Sequence, residues 1–138
     1  MLVVDASFLM AAFVEEAHTD FARSVLDEQA EIPRIAPGLV TWEFANILWK
    51  KQRKGEILDR HLDEARDFLS ALDVETTTSL HVEDVVSLAR LAGAKGLTAY
   101  DAAYLDLAIV RSAALATTDR DLAKAAVAAE IVVHSPFA

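Results

Sequence analysis

The stretch Leu2-Val3-Val4-Asp5-Ala6-Ser7-Phe8-Leu9-Met10-Ala11-Ala12-Phe13-Val14 decides the fold. Its first three residues form a short apolar run that ends at Asp5, and a helical pattern begins at once and continues from Ser7 to Val14. A buried strand that feeds directly into a helix is the opening of an α/β unit, and it leaves an acid at the carboxyl end of the strand.

The same alternation continues along the chain. Short strand candidates recur at Arg34–Ala36, Val74–Thr77, Ala114–Thr117 and Ile131–Val133. Between them, helical periodicity predicts helices over Thr19–Gln29, Leu39–Lys54 (closed by Gly55), Asp59–Leu72, Val82–Ala94, Ala99–Arg111 and Arg120–Ala128. Strand–helix alternation argues for right-handed βαβ crossovers and a mostly parallel central sheet covered on both faces, a three-layer α/β/α sandwich. No repeat or low-complexity linker divides the chain, and Pro33 and Pro37 bracket a strand instead. The expected organisation is one domain over residues 1–138.

Composition excludes several kinds of chemistry. The chain has no cysteine, which removes disulfides, thiolate zinc sites, iron–sulfur clusters and cysteine nucleophiles, so any metal is held by oxygen or imidazole. Apolar residues make up 54% of it, slightly more than a small monomer needs, and the excess fits a subunit or partner interface. The apolar run Ala6–Val14 lacks a preceding basic segment and meets Glu15 and Glu16, unlike a signal peptide. No run approaches the roughly 20 apolar residues that span a bilayer, so the protein reads as soluble and cytoplasmic, with no membrane partner. A net charge of −9 argues against broad electrostatic binding of nucleic acid, although carboxylates gathered around divalent ions add charge that the ions cancel.

In an open parallel sheet, ligands bind beyond the carboxyl ends of the strands. Asp5 lies there, and Asp119 follows Leu115-Ala116-Thr117-Thr118 by the same logic. Each has an ordinary explanation as a helix N-cap, although Ser7 and Thr118 stand nearby as rival caps. Glu43 lies on or beside the apolar stripe of Leu39, Val40 and Ile47, and a carboxylate there needs a partner such as Asn46 or an outward path to water. Asp101 stands in the first turn of its helix, where the dipole favours an acid, yet Tyr104, Leu105 and Ala108 share its face. Asp106 is about 140° further round that helix and serves a different surface. Four acids from two strand ends and two helices converge on one edge of the sheet in this scheme. Unpaired carboxylates held close repel one another unless a cation neutralises them, and magnesium or manganese suits such hard oxygen donors.

These segments resemble the PIN-domain ribonucleases, and most closely the VapC-type toxins of bacterial toxin–antitoxin pairs. Met1-Leu2-Val3-Val4-Asp5-Ala6-Ser7 is similar to the family's opening strand and first acid, and Pro37-Gly38-Leu39-Val40-Thr41-Trp42-Glu43-Phe44-Ala45-Asn46 to the segment carrying the second. Leu97-Thr98-Ala99-Tyr100-Asp101-Ala102-Ala103-Tyr104-Leu105 resembles the third motif, and Ala116-Thr117-Thr118-Asp119-Arg120-Asp121-Leu122 the closing T-x-D segment.

The resemblance spans nearly the whole chain. It implies Mg2+ or Mn2+ held by Asp5 and Asp101, with Glu43 and Asp119 completing the acidic site directly or through water, Ser7 and Thr117 as supporting hydroxyls, and Asp121 able to share the work of Asp119. It also implies an RNA substrate cut by metal-activated water, a homodimer, and a VapB-like antitoxin lying across the site.

Several features have two readings. The basic run Lys50 to Lys54 lies roughly 10 to 17 Å beyond Glu43 along its helix, where it either grips phosphates or complements the helix C-terminus. Trp42, Phe44 and Trp49 are either partner anchors or core residues. His18, His61, His81 and His134 fall outside every acid motif. The alternatives to a nuclease are a catalytically silent module of the same fold, or a phosphatase with Asp5 as nucleophile. The second needs an acid where Ser7 stands. Carboxylates alone do not separate RNA from DNA.

Overall fold

The computed structural model describes residues 1–77 and 81–137. Five strands form one sheet: β1 (Leu2–Val4), β2 (Arg34–Pro37), β3 (Glu75–Thr77), β4 (Ala114–Ala116) and β5 (Val133–His134). Their order is β3-β2-β1-β4-β5, and every neighbouring pair is parallel. The opening strand is therefore central, with Val3 facing Ile35 on one side and Leu115 on the other. All three β1 residues are fully buried, as expected of a strand covered on both faces.

The helices are α1 (Ala6–Phe13), α2 (Thr19–Glu28), α3 (Leu39–Arg53), α4 (Arg60–Leu72), α5 (Val85–Lys95), α6 (Ala99–Arg111) and α7 (Arg120–Ala128). α1 packs on α2 and α3, and its Phe13 ring meets Phe68 of α4 at 5.3 Å. α6 packs on α5, α7 and the central strands. The sheet lies between these two groups of helices, which is the expected three-layer α/β/α architecture. Among the described residues, no helix is long and apolar enough to cross a membrane.

The chain order positions the site. From β1 the chain builds outward through β2 to β3, then returns to place β4 on the other side of β1. The order reverses between β1 and β4, and the crevice beyond their carboxyl ends is where such sheets bind ligands. Asp5 follows one of these strands and Thr117-Thr118-Asp119 follows the other.

The element boundaries depart from the sequence expectation where side chains or turns intervene. The last strand starts at Val133 and not at Ile131. Glu130 adopts a left-handed conformation (φ 61°), and the Ile131 amide donates to Ala126 to finish α7, so it is not free to join the sheet. The helix expected from Val82 opens as a 3-10 turn over Val82–Asp84 before α5 begins. Gly55, at φ 77°, ends α3 as its placement in the sequence predicts.

A buried hydroxyl ties α1 to α2. Thr19 is fully buried, and its Oγ1 lies 2.7 Å from the Ala11 carbonyl oxygen and 3.0 Å from that of Val14, while accepting from the Glu16 amide at 2.8 Å. Thr19→Val keeps the shape and strands these backbone groups. It is expected to lower unfolding stability by about 1–3 kcal/mol in urea titrations, with Thr19→Ser losing much less.

Candidate active site

The site begins at the strand end that opens the sequence. Asp5 is 3% exposed. Its Oδ1 accepts from the Ser7 hydroxyl and from the Phe8 amide, both at 2.8 Å, and its Oδ2 accepts from the Thr117 hydroxyl at 2.6 Å. Burial outweighs these three donors and pushes the Asp5 carboxyl up to about 7, and repulsion from Asp101 adds to the rise.

Thr117 joins the two strand ends. It is fully buried, it donates to Asp5, and its Oγ1 accepts from the Asp119 amide at 2.9 Å. Ser7 extends the same network by accepting from the Thr118 amide at 3.3 Å. Asp119 Oδ1 in turn accepts from the Leu122 amide at 2.8 Å and caps α7. Ser7 and Thr117 thus stand against the first acid.

Glu43 and Asp101 come from helices. The Tyr104 hydroxyl, reaching across from α6, donates to Glu43 Oε1 at 2.5 Å. Burial and Glu43 both raise the Tyr104 pKa, which keeps it a neutral donor. Asp101 is set in the first turn of α6 by Thr98, whose hydroxyl oxygen accepts from the Asp101 amide at 3.1 Å.

The pKa values of Asp5, Glu43 and Asp101 all rise. Glu43 is raised first by burial and then by Asp101, against the lowering effect of Tyr104. Asp101 is raised first by burial and then by Asp119, with a smaller push from Asp121 and an opposing bond from Thr98. Asp101 is thus the common neighbour that Asp5, Glu43, Asp119 and Asp121 all repel. Asp5, Glu43, Asp119 and Asp121 each lie near enough to Asp101 for their charges to be felt there.

Other residues fall elsewhere. Asp106 lines surface grooves with Trp42 and with Leu91, away from the acids. His18 meets Phe137 edge to face, and His61 Nδ1 accepts from the Leu58 amide. Phe44 is buried against Phe13 and is not an anchor, whereas Trp42 is 81% exposed. In the basic run, Lys51 pairs with Glu16 and Glu56, and Arg53 lies over Trp49.

The structure settles two readings the sequence left open and adds two positioning groups. Asp5 and Asp119 are themselves the helix caps, each through one carboxylate oxygen, and do not leave that task to Ser7 and Thr118. Glu43 is satisfied by Tyr104 and not by Asn46. Tyr104 and Thr98 were missed as positioning groups, although Thr98, three residues before Asp101, has the spacing of a cap.

The Asp5 shift has a measurable consequence. Below its unfolded value of 3.8 the group is protonated in both states. As pH rises toward about 7 the unfolded chain releases the proton while the folded chain retains it, so stability falls through this window and the loss is complete above it. In chelator, Asp5→Asn removes this titration. The variant's stability relative to the wild type should therefore climb between pH 4 and pH 8, by at most about 1.4 kcal/mol per pH unit. A difference in urea midpoints that stays flat across that range would contradict the burial argument.

Comparison with known proteins places this geometry. Residues 2–128 match the model of the PIN domain. The chain is 35% identical over 127 residues to a protein from Pyrobaculum aerophilum named Ribonuclease VapC3, covering 89% of this chain and 92% of that protein. The crystal structure of PAE2754, also from Pyrobaculum aerophilum, superposes with a TM-score of 0.63 at 26% identity, over 90% of this chain and 83% of the other. With a family model matched over nearly its whole length and a relative of this similarity, the chain belongs to the PIN domain family.

Proposed function

We propose that this chain is a metal-dependent endoribonuclease, the toxin of a VapBC-type pair, with Asp5, Glu43, Asp101 and Asp119 as its acidic site. The observation that carries the proposal is the gathering of acids from two strand ends and two helices: within one domain, residues 1–138, Thr117 ties Asp5 to the start of α7 at Asp119, Tyr104 of α6 holds Glu43, and Asp101 stands near enough to repel them, which a cation would relieve. Family membership and similarity to a protein named a ribonuclease support it.

The donor set fits a hard divalent ion. All the candidate donors are carboxylate oxygens, and among the described residues no three His, Cys, Asp or Glu side chains stand together closely enough to hold a metal ion by themselves. Mg2+, which retains several waters and takes one or two carboxylates directly, is compatible with such an open arrangement, and Mn2+ is the alternative. Asp5 and Asp101 would hold it, with Glu43 and Asp119 completing the site and Asp121 assisting. When bound, the ion neutralises the carboxylates, acidifies water and stabilises charge on the phosphodiester.

The chain's own residues pre-organise that chemistry. Ser7, Phe8 and Thr117 fix both oxygens of Asp5, so it cannot swing away from the crevice. Tyr104 aims Glu43, whose half-buried carboxyl has a raised affinity for protons at the edge of the site. The burial and three donors at Asp5 also disfavour it as a covalent nucleophile, which leaves water to attack. The same proposal gives the cytoplasmic protein a VapB-like antitoxin whose C-terminal segment crosses the site, and a second copy of the chain as partner.

The purified chain should cut RNA in Mg2+ or Mn2+ and leave 5′-phosphate and 3′-hydroxyl ends. Asp101→Asn should lose at least about 100-fold in rate, the scale of removing one electrostatic group from a reacting centre. It should also abolish the rise in melting temperature that added Mn2+ gives the wild type. Full activity in chelator, or 2′,3′-cyclic phosphate ends, would overturn the proposal.

A further inference from the structure

The two faces of α7 carry opposite charge. Asp119 and Asp121 act on Asp101 and so belong to the acidic side. Arg120, Lys124 and Val127 follow one another at helical spacing along a different face. Arg120 is the first residue of the helix, the end where the dipole disfavours a cation, and Lys124 repels it from one turn further on. Neither side chain pairs with a carboxylate among the described residues. The placement of Arg120 costs stability in the free protein, and an anion bound between the two cations would reverse the sign.

A groove of about 580 Å³ lies along this face, lined by Arg120, Lys124, Val127, Val133, Ser135 and Phe137, with no acid among its lining residues. The chain after β5 folds over to form its back. The Ser135 hydroxyl oxygen accepts from the Phe137 amide at 2.9 Å, and the Phe137 ring lies 4.3 Å from the Arg120 guanidinium carbon and edge-on to His18. The aromatic plate holds the guanidinium in place by a cation–π contact while leaving its N–H groups able to bind phosphate. Arg120, at one end of this groove, is the residue that follows the α7 cap Asp119 in the chain.

We infer that this groove binds the phosphates of the RNA strand next to the acidic centre, with Arg120 and Lys124 each taking one phosphate. The inference rests on the nuclease proposal and gives it a substrate path. A chain of net charge −9 repels polyanions, and its acid cluster repels them most. Local purchase on the strand therefore requires a basic groove at the cluster's edge. The two cations stand about 6 Å apart along the helix axis, a spacing that suits successive phosphates.

The test uses the full chain carrying Asp101→Asn to prevent cleavage, a fluorescein-labelled oligouridine as probe, and anisotropy across a series of salt concentrations in Mg2+. Adding Arg120→Gln and Lys124→Gln should weaken binding about 10-fold at low salt and reduce the log–log salt slope by about 1.4, roughly 0.7 for each single-strand phosphate left without its cation. Phe137→Ala, which frees the guanidinium, should give a smaller loss. Arg90→Gln with Arg111→Gln removes the same charge from α5 and the far end of α6, and should leave the slope unchanged. An unaltered slope in the Arg120 and Lys124 variant, or an equal loss in the control, overturns the groove even if the wild type cleaves RNA. A wild type that cleaves no RNA, with binding still dependent on Arg120 and Lys124, overturns the nuclease proposal and leaves the groove standing.

Discussion

The hydrogen bond from Thr117 to Asp5, 2.6 Å long and fully buried, joins the two strands between which the sheet changes direction. Residues 112 positions apart meet there because β1 and β4 pair in parallel register. The bond fixes one oxygen of Asp5 while the Phe8 amide takes the other, so capping α1 and orienting the carboxylate are one act. The same Thr117 oxygen accepts from Asp119, and the start of α7 is set from the same point. Both strand-end acids depend on this single hydroxyl.

Around that point the fold holds like charges together. Asp5, Glu43 and Asp101 are raised by burial first, with repulsion from neighbouring acids adding to it, an arrangement that works against folding wherever they ionise. The surrounding structure sustains it: helix capping uses part of each strand-end carboxylate, Tyr104 compensates Glu43, and an apolar core that includes fully buried Leu2, Phe8, Ile35, Leu105 and Leu115 supplies the stability. Strain of this kind is what a site for a cation is expected to store.

α7 shows how one short helix can serve two purposes. Its cap and second residue face the acids, while Arg120 and Lys124 face a groove closed by the last described residues. The basic run on α3 looks more conspicuous in sequence. Lys51 there is engaged by Glu16 and Glu56, and Arg53 by Trp49, so that cluster is partly spent on joining helix ends.

The sequence by itself determined the layered α/β fold, because strand–helix alternation and apolar runs are local patterns, and it placed Asp5 and Asp119 at strand ends by the same local logic. It also separated Asp101 from Asp106, since helical pitch alone puts them on different faces. Only the tertiary structure decided who satisfies whom. Tyr104 reaches Glu43 across 61 residues and Thr117 reaches Asp5 across 112, and no periodicity encodes such partners. It likewise decided that Asp5 and Asp119 cap their helices through one carboxylate oxygen each. The repulsion that makes Asp101 the centre arises only when four separate segments are brought to one crevice, and charge through space is invisible along the chain.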